Sequence, residues 1–274
     1  MNRERLISSS LMIGLVSLAL LHAYSFLALL LILTIGGLYE FFYLIHKKGI
    51  PIYSYTGIAI GVMIPLTTFM RFQPTKGWEL LFIVLVLLAI FFMQFLRREN
   101  TNAIIGISTT LFGVLYVSWL FSFLIKIRYL ADGMEGVGLV AFILVVTKCG
   151  DIGALMVGSM WGRHPLLPRV SPHKTIEGSI GSFLFSMTAA FVCRNWLPAV
   201  LHIPLWQVGL AGLCIGGIGQ IGDMSESLIK RDCNVKDSGK MFRGLGGILD
   251  TIDSLLFTAP TFYFYIAALM DKLR

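Results

Sequence analysis

Between Gly222 and Ser254 the chain places six acidic residues, five basic residues and five glycines in 33 positions, although the whole is 56% hydrophobic and only 14% charged. Carboxylates hold hard divalent cations through oxygen, while lysine, arginine and glycine-rich backbone hold phosphate. Together they predict phosphoryl chemistry. Asp223, Glu226, Ser227 and Lys230 stand at i, i+3, i+4 and i+7 and form one polar stripe if helical. Asp250 and Asp253 share a face in the same way, after a turn containing Gly244, Gly246 and Gly247 whose amides can approach a ligand. A solvated loop with ordinary helix caps would use the same residue types, and residue type alone leaves both readings open.

Two further clusters precede this one. Lys148 and Asp151 lie three apart inside an apolar run, where an ionisable group is costly unless it is paired or binds a cation. They read either as an internal ion pair or as a site carboxylate near the end of a span. The following segment, WGRHPLLPRVSPHKTIEGSIGS, is kept from helix by Pro165, Pro168 and Pro172. It offers Arg163, His164, Arg169, His173 and Lys174 as positive charge and Ser171 and Thr175 as hydroxyls. Gly178 and Gly181 then permit close helix packing or backbone approach to a ligand.

The elements that must position these residues are membrane helices. Charged residues at 14% fall well below the roughly 25% of soluble proteins, and the mean hydropathy is +0.80. Apolar runs recur at about the 20 residues a bilayer requires. The expected fold is an all-α, polytopic integral membrane protein with about nine transmembrane helices, near 6–22, 25–45, 53–70, 79–96, 103–125, 137–160, 178–196, 203–221 and 254–270. Continuous runs such as Leu80–Leu96 argue against a β-barrel, whose strands alternate. Residues 1–135 read as amino-terminal membrane helices and 136–274 as the catalytic region, with polar loops 161–177 and 222–253. The first apolar run lacks a small-x-small cleavage site and reads as a span.

With the amino terminus inside, the inner segments hold 14 Lys and Arg and the outer ones 7, which predicts both polar loops in the cytoplasm. The basic residues are spread over short loops, so the net charge of +7 points to anionic lipid and topology and away from nucleic acid. Cys149, Cys193, Cys214 and Cys233 have no CxxC spacing and read as small apolar residues. No zinc pattern joins them to a histidine, and no GxSxG nucleophile elbow occurs.

The carboxyl-terminal half resembles phosphatidate cytidylyltransferases. That family's GDxxES element matches Gly222-Asp223 and Glu226-Ser227, and its SP-x-KT-x-EG element matches Ser171-Pro172, Lys174-Thr175 and Glu177-Gly178. Its carboxyl-terminal signature matches Ser227, Lys230-Arg231, Lys236-Asp237, Gly246-Gly247, Asp250 and Asp253, and an Asp in the preceding span matches Asp151. Two positions depart from the pattern: Leu245 replaces a histidine and Thr251 an arginine, with spacing unchanged. The amino-terminal half is similar only in hydropathy.

The resemblance implies transfer of CMP from CTP to phosphatidic acid with Mg²⁺, and leaves open whether a monovalent cation joins it. It implies Asp223 and Asp250 as metal ligands, with Asp151 and Asp253 as additional or neighbouring carboxylates. Lys174, Lys230 and Arg231 would bind phosphates, Ser171, Thr175, Ser227, Lys236 and Asp237 would line the substrate site, and Gly246 and Gly247 would admit the nucleotide. A homodimer and a bacterial inner-membrane location with cytoplasmic catalytic loops are implied in the same way. The competing readings are a CTP-dependent polyprenol or phytol kinase and, in another class, a transporter built around Lys148 and Asp151. Against them, no unpaired base stands ready to deprotonate an alcohol, and no repeated halves are visible. A CDP-alcohol phosphotransferase would need a DGxxAR run, which is absent.

Overall fold

Helix dominates because long apolar stretches in lipid must satisfy every backbone group internally. The computed structural model describes residues 3–72, 74–75, 77–98, 100–235, 238–239 and 246–272, without the side chains of 3–10. Nine long helices occur among the described residues. They are α1 (Arg3–Leu21), α2 (Ala23–Lys47), α3 (Ser54–Phe69), α4 (Trp78–Phe95), α5 (Ala103–Arg128), α6 (Gly133–Trp161), α7 (Ile176–Val192), α8 (Leu205–Asp232) and α9 (Ile248–Asp271). Six of these, α2, α4, α5, α6, α8 and α9, have the length and apolarity to cross a bilayer; the apolar stretches Leu11–Leu21, Ser54–Phe69 and Ile176–Val192 are shorter. The chain is an all-α, multi-pass membrane protein, with one small hairpin among the described residues.

The chain divides into two compact units, one formed by Met1–Ser122 with Cys233–Thr251 and the other by Phe123–Asp232 with Ile252–Arg274. In the first, α2 supplies the centre through buried Leu38, Phe41, Phe42, Leu44 and Ile45. Glycine makes room for these rings: a Cβ at Gly57 or Gly113 would stand 2.5–2.6 Å from Phe42 or Phe41. Phe41 meets Phe112 and Tyr116 at centroid distances of 5.9 and 6.3 Å, where α5 widens into a π-helical stretch over Val114–Trp119.

The second unit is packed through small residues. Lipid tails are as apolar as leucine, so membrane helices associate by close fit more than by hydrophobic burial. On α7, Gly178, Ser182, Ser186 and Ala190 recur every four residues and form one face. A Cβ at Gly181 would lie 2.6 Å from the Gly153 carbonyl oxygen on α6, and one at Gly216 of α8 would lie 2.9 Å from Ser186 Oγ. The α6 and α9 helices are joined by a Thr147–Thr258 hydroxyl bond of 3.1 Å.

Between α6 and α7 the three prolines do exclude helix, and the chain forms an antiparallel hairpin instead. Strand β1 (Pro165–Leu167) pairs with β2 (Ser171–Thr175), with Pro165 opposite Thr175 and Leu167 opposite Ser171. The Val170 amide closes the turn onto the Leu167 carbonyl at 3.1 Å.

Candidate active site

The hairpin holds one charged residue over α8. Lys174 Nζ lies 2.7 Å from Asp223 Oδ2, with the two side chains 23% and 41% exposed. The neighbouring motif residues hold the hairpin in place. Thr175 is the N-cap of α7 and its hydroxyl accepts from the Gly178 amide at 3.1 Å, satisfying one orphan donor of the helix. Glu177 reaches back across the hairpin, pairing with His164 Nδ1 at 2.6 Å and accepting from the Arg163 and His164 amides at 3.1 and 3.3 Å. The His164 contact first, and then the backbone donors, pull its carboxyl down to about 2. Gly178 lets α7 approach α6, since a Cβ there would stand 2.9 Å from the Ala154 carbonyl. Of the predicted SP-x-KT-x-EG residues, Lys174 faces the carboxylate and Thr175, Glu177 and Gly178 build the frame.

Asp223 is positioned from below by Gly222. A Cβ at Gly222 would lie 2.6 Å from the Asp253 carbonyl oxygen and 3.0 Å from Ser254 Cα, so only glycine lets α8 and α9 meet there. The same contact brings in α6. Lys148 Nζ donates to Asp151 Oδ2 at 2.8 Å and to Ser254 Oγ at 3.1 Å, and Ser254 Oγ donates to Asp151 at 2.9 Å. The internal ion pair, left open by the sequence, is formed, and it closes into a triangle with a hydroxyl from α9. Asp253, one residue before Ser254, is buried.

At the other end of the acidic stretch, three donors converge on Asp250 Oδ2. They are the Gly247 amide at 2.8 Å, the Ser238 amide at 3.2 Å and the Ser238 hydroxyl at 2.8 Å. Asp250 is therefore an anchor of the first turn of α9, whatever else it binds. Gly246 adopts φ +94°, a left-handed conformation that a side chain would strain. A Cβ at Gly247 would overlap Ser238 Oγ and the carboxylate of Glu40. Sequence reading passed over Glu40, yet it is the only acidic residue of α2 and it is buried. An ionisable group at that depth is a functional signal in itself, and it was available.

The remaining predicted residues are engaged within the fold. Lys230 pairs with Glu226, which is fully buried one turn earlier on α8. Arg231 donates through Nε to the Val170 carbonyl at 3.3 Å, tying α8 to the hairpin turn. Ser227 is buried, and Ser171 sits half-buried at the start of β2. Lys236 and Asp237 lie outside the described residues, as does Leu245.

No three His, Cys, Asp or Glu residues among those described form a ready cage for a metal ion. Mg²⁺ does not need one, since it is commonly held by one or two carboxylates together with substrate phosphates. Asp223 offers a partly exposed carboxylate of the right hardness beside a lysine suited to phosphate. The donor set fits a hard cation that arrives with a nucleotide.

Comparison with known proteins gives a consistent result. The profile of the cytidylyltransferase family matches residues 3–269. A phosphatidate cytidylyltransferase of Synechocystis sp. is 32% identical over 100% of this chain and 99% of its own length. One from Bacillus subtilis is 32% identical over 84% of this chain and 86% of its own. An uncharacterized protein of Escherichia coli, YnbB, is 45% identical over 48% of this chain and 43% of its own.

Proposed function

Because the chain belongs to the cytidylyltransferase family, we propose that it is a phosphatidate cytidylyltransferase, converting CTP and phosphatidic acid into CDP-diacylglycerol and pyrophosphate. The observation that carries the site assignment is Lys174 held by a braced hairpin 2.7 Å from Asp223. In the reaction a phosphate oxygen of phosphatidic acid bonds to the α-phosphorus of CTP. The bond from that phosphorus to the oxygen bridging to the β-phosphate breaks, and the electron pair leaves with pyrophosphate. A phosphomonoester is largely ionised at neutral pH, so no general base is required. Leu245 in place of the family histidine is compatible with that.

Two anions must approach one another, and fixed positive charge lowers the barrier by offsetting charge on the reacting phosphates. Lys174 would do this on the nucleotide, with Lys230 and Arg231 in the last turn of α8 as further phosphate ligands. By the family resemblance Asp223 and Asp250 are the metal ligands, with Asp151 and Asp253 as additional carboxylates; when bound, Mg²⁺ supplies Lewis-acid stabilisation of phosphate oxygens. Positive-inside charge supports nine spans with both polar loops in the cytoplasm, where CTP is available, and a location in the bacterial inner membrane.

Purified protein given labelled CTP, phosphatidic acid and Mg²⁺ is expected to yield labelled CDP-lipid and one pyrophosphate per turnover. Release of CDP with phosphorylation of a polyprenol would instead establish a kinase. Absence of turnover with any lipid would reject both enzymes.

A further inference from the structure

A carboxylate inside an apolar helix is retained only where its partners compensate for lost water. Glu40 of α2 is 7% exposed and has such partners. Oε1 accepts from the Ile248 amide at 3.0 Å, and Oε2 accepts from the Leu249 amide at 2.9 Å and lies 3.1 Å from Ser238 Oγ. Two glycines complete the seat, since a Cβ at Gly239 or Gly247 would overlap the carboxylate.

Glu40 and Asp250 together take three of the donors at the start of α9. The first amides of a helix lack partners within it and carry partial positive charge. Asp250 takes the Gly247 amide, and Glu40 takes those of Ile248 and Leu249. Ser238 Oγ lies between the two carboxylates, 2.8 Å from Asp250 and 3.1 Å from Glu40. Glu40 thus grips two groups that hold Asp250: the first turn of the helix that carries it and the serine that orients it.

We propose that Glu40 is a positioning residue for cytidylyl transfer, holding Asp250 in its working orientation through Ser238 and the first turn of α9. This rests on the assignment of Asp250 to the CTP and Mg²⁺ site. The role belongs to a residue about 200 positions away in sequence, on a helix that the chemistry does not otherwise use.

The test uses the full chain in lipid nanodiscs. Glu40→Gln keeps the shape but removes the charge and turns an NH₂ group toward the Ile248 or the Leu249 amide; Glu40→Asp keeps the charge but shortens the reach. Glu40→Gln is expected to lower kcat per folded molecule about 10- to 100-fold, the usual effect of losing a residue that orients a ligand, with KM for phosphatidic acid unchanged. Glu40→Asp should recover part of that loss. Combined with Ser238→Ala, Glu40→Gln should cost less than the product of the two single effects, because both act through Asp250. Hydrogen exchange at the Ile248 and Leu249 amides should accelerate in Glu40→Gln. Unchanged exchange there, wild-type kcat, or an activity loss that only follows a loss of folded protein would each overturn the proposal. A wild-type protein that turns over no phosphatidic acid would refute the cytidylyltransferase assignment, and the exchange result would then decide alone whether Glu40 holds this helix.

Discussion

Lys174 pairs with the Asp223 carboxylate, whereas the Lys148–Asp151 pair is closed by a third group, Ser254. The difference bears on what each lysine can do. The Lys148 ammonium already donates to two oxygens, one of them a carboxylate, and replacing those partners would leave a charge unpaired within a membrane helix. Lys174 sits near the end of β2, where a phosphate oxygen can take the place of the Asp223 carboxylate as its anionic partner. Lys174→Gln is therefore expected to lower kcat/KM for CTP by about 100-fold, the scale of losing one donor to a developing oxyanion. Asp223→Asn should abolish metal-dependent turnover at normal expression. The double variant should be no worse than Asp223→Asn, because residues that act as a unit are not additive. Steady-state kinetics on the three variants decides this, and near-normal turnover of Asp223→Asn would remove that residue from the metal site.

The helices of the second unit hold these residues in place by backbone contact, so their weak points are glycines and not large core side chains. Gly181→Ala would bring a methyl group 2.6 Å from the Gly153 carbonyl oxygen and from Val157 Cβ. Overpacking of this kind costs about 1–3 kcal/mol, a fall of several degrees in thermal midpoint. Gly14→Ala, where nothing lies within 4 Å, is the control and should melt at or slightly above wild type. Equal midpoints for the two variants would refute the close-packed face. This level of structure was partly legible in the sequence. Gly178 and Gly181 were readable as packing residues, and Pro165, Pro168 and Pro172 as a barrier to helix. The hairpin itself was not legible, because prolines say what a segment cannot be and not which residues it pairs. Nor was the role of Thr175 and Glu177. The residue types of a helix cap and of a phosphate site are the same, and only the bonds to Gly178, Arg163 and His164 separate them. Glu40 is the converse case: a carboxylate in an apolar run was legible as a signal, but its partners, about 200 residues away, were not, because local spacing has nothing to say about them.

At the scale of the whole molecule, orientation in the membrane decides whether the proposed chemistry can meet its nucleotide. The evidence for it is the distribution of charge, 14 Lys and Arg on the segments assigned inside against 7 outside. Each basic residue near an anionic leaflet contributes about 1 kcal/mol, so the bias amounts to several kcal/mol against the inverted topology. Residues 161–177 and 222–253 hold eight of the 14 basic residues on the segments assigned inside. This can be tested in cells after the four free cysteines, Cys149, Cys193, Cys214 and Cys233, are replaced. With single cysteines returned as Arg71→Cys or Arg169→Cys, a membrane-impermeant maleimide is expected to label the first in intact cells and the second only after permeabilisation. The reverse pattern would put Lys174 and Asp223 on the face without CTP, and would refute the cytoplasmic site even if the purified protein proved active.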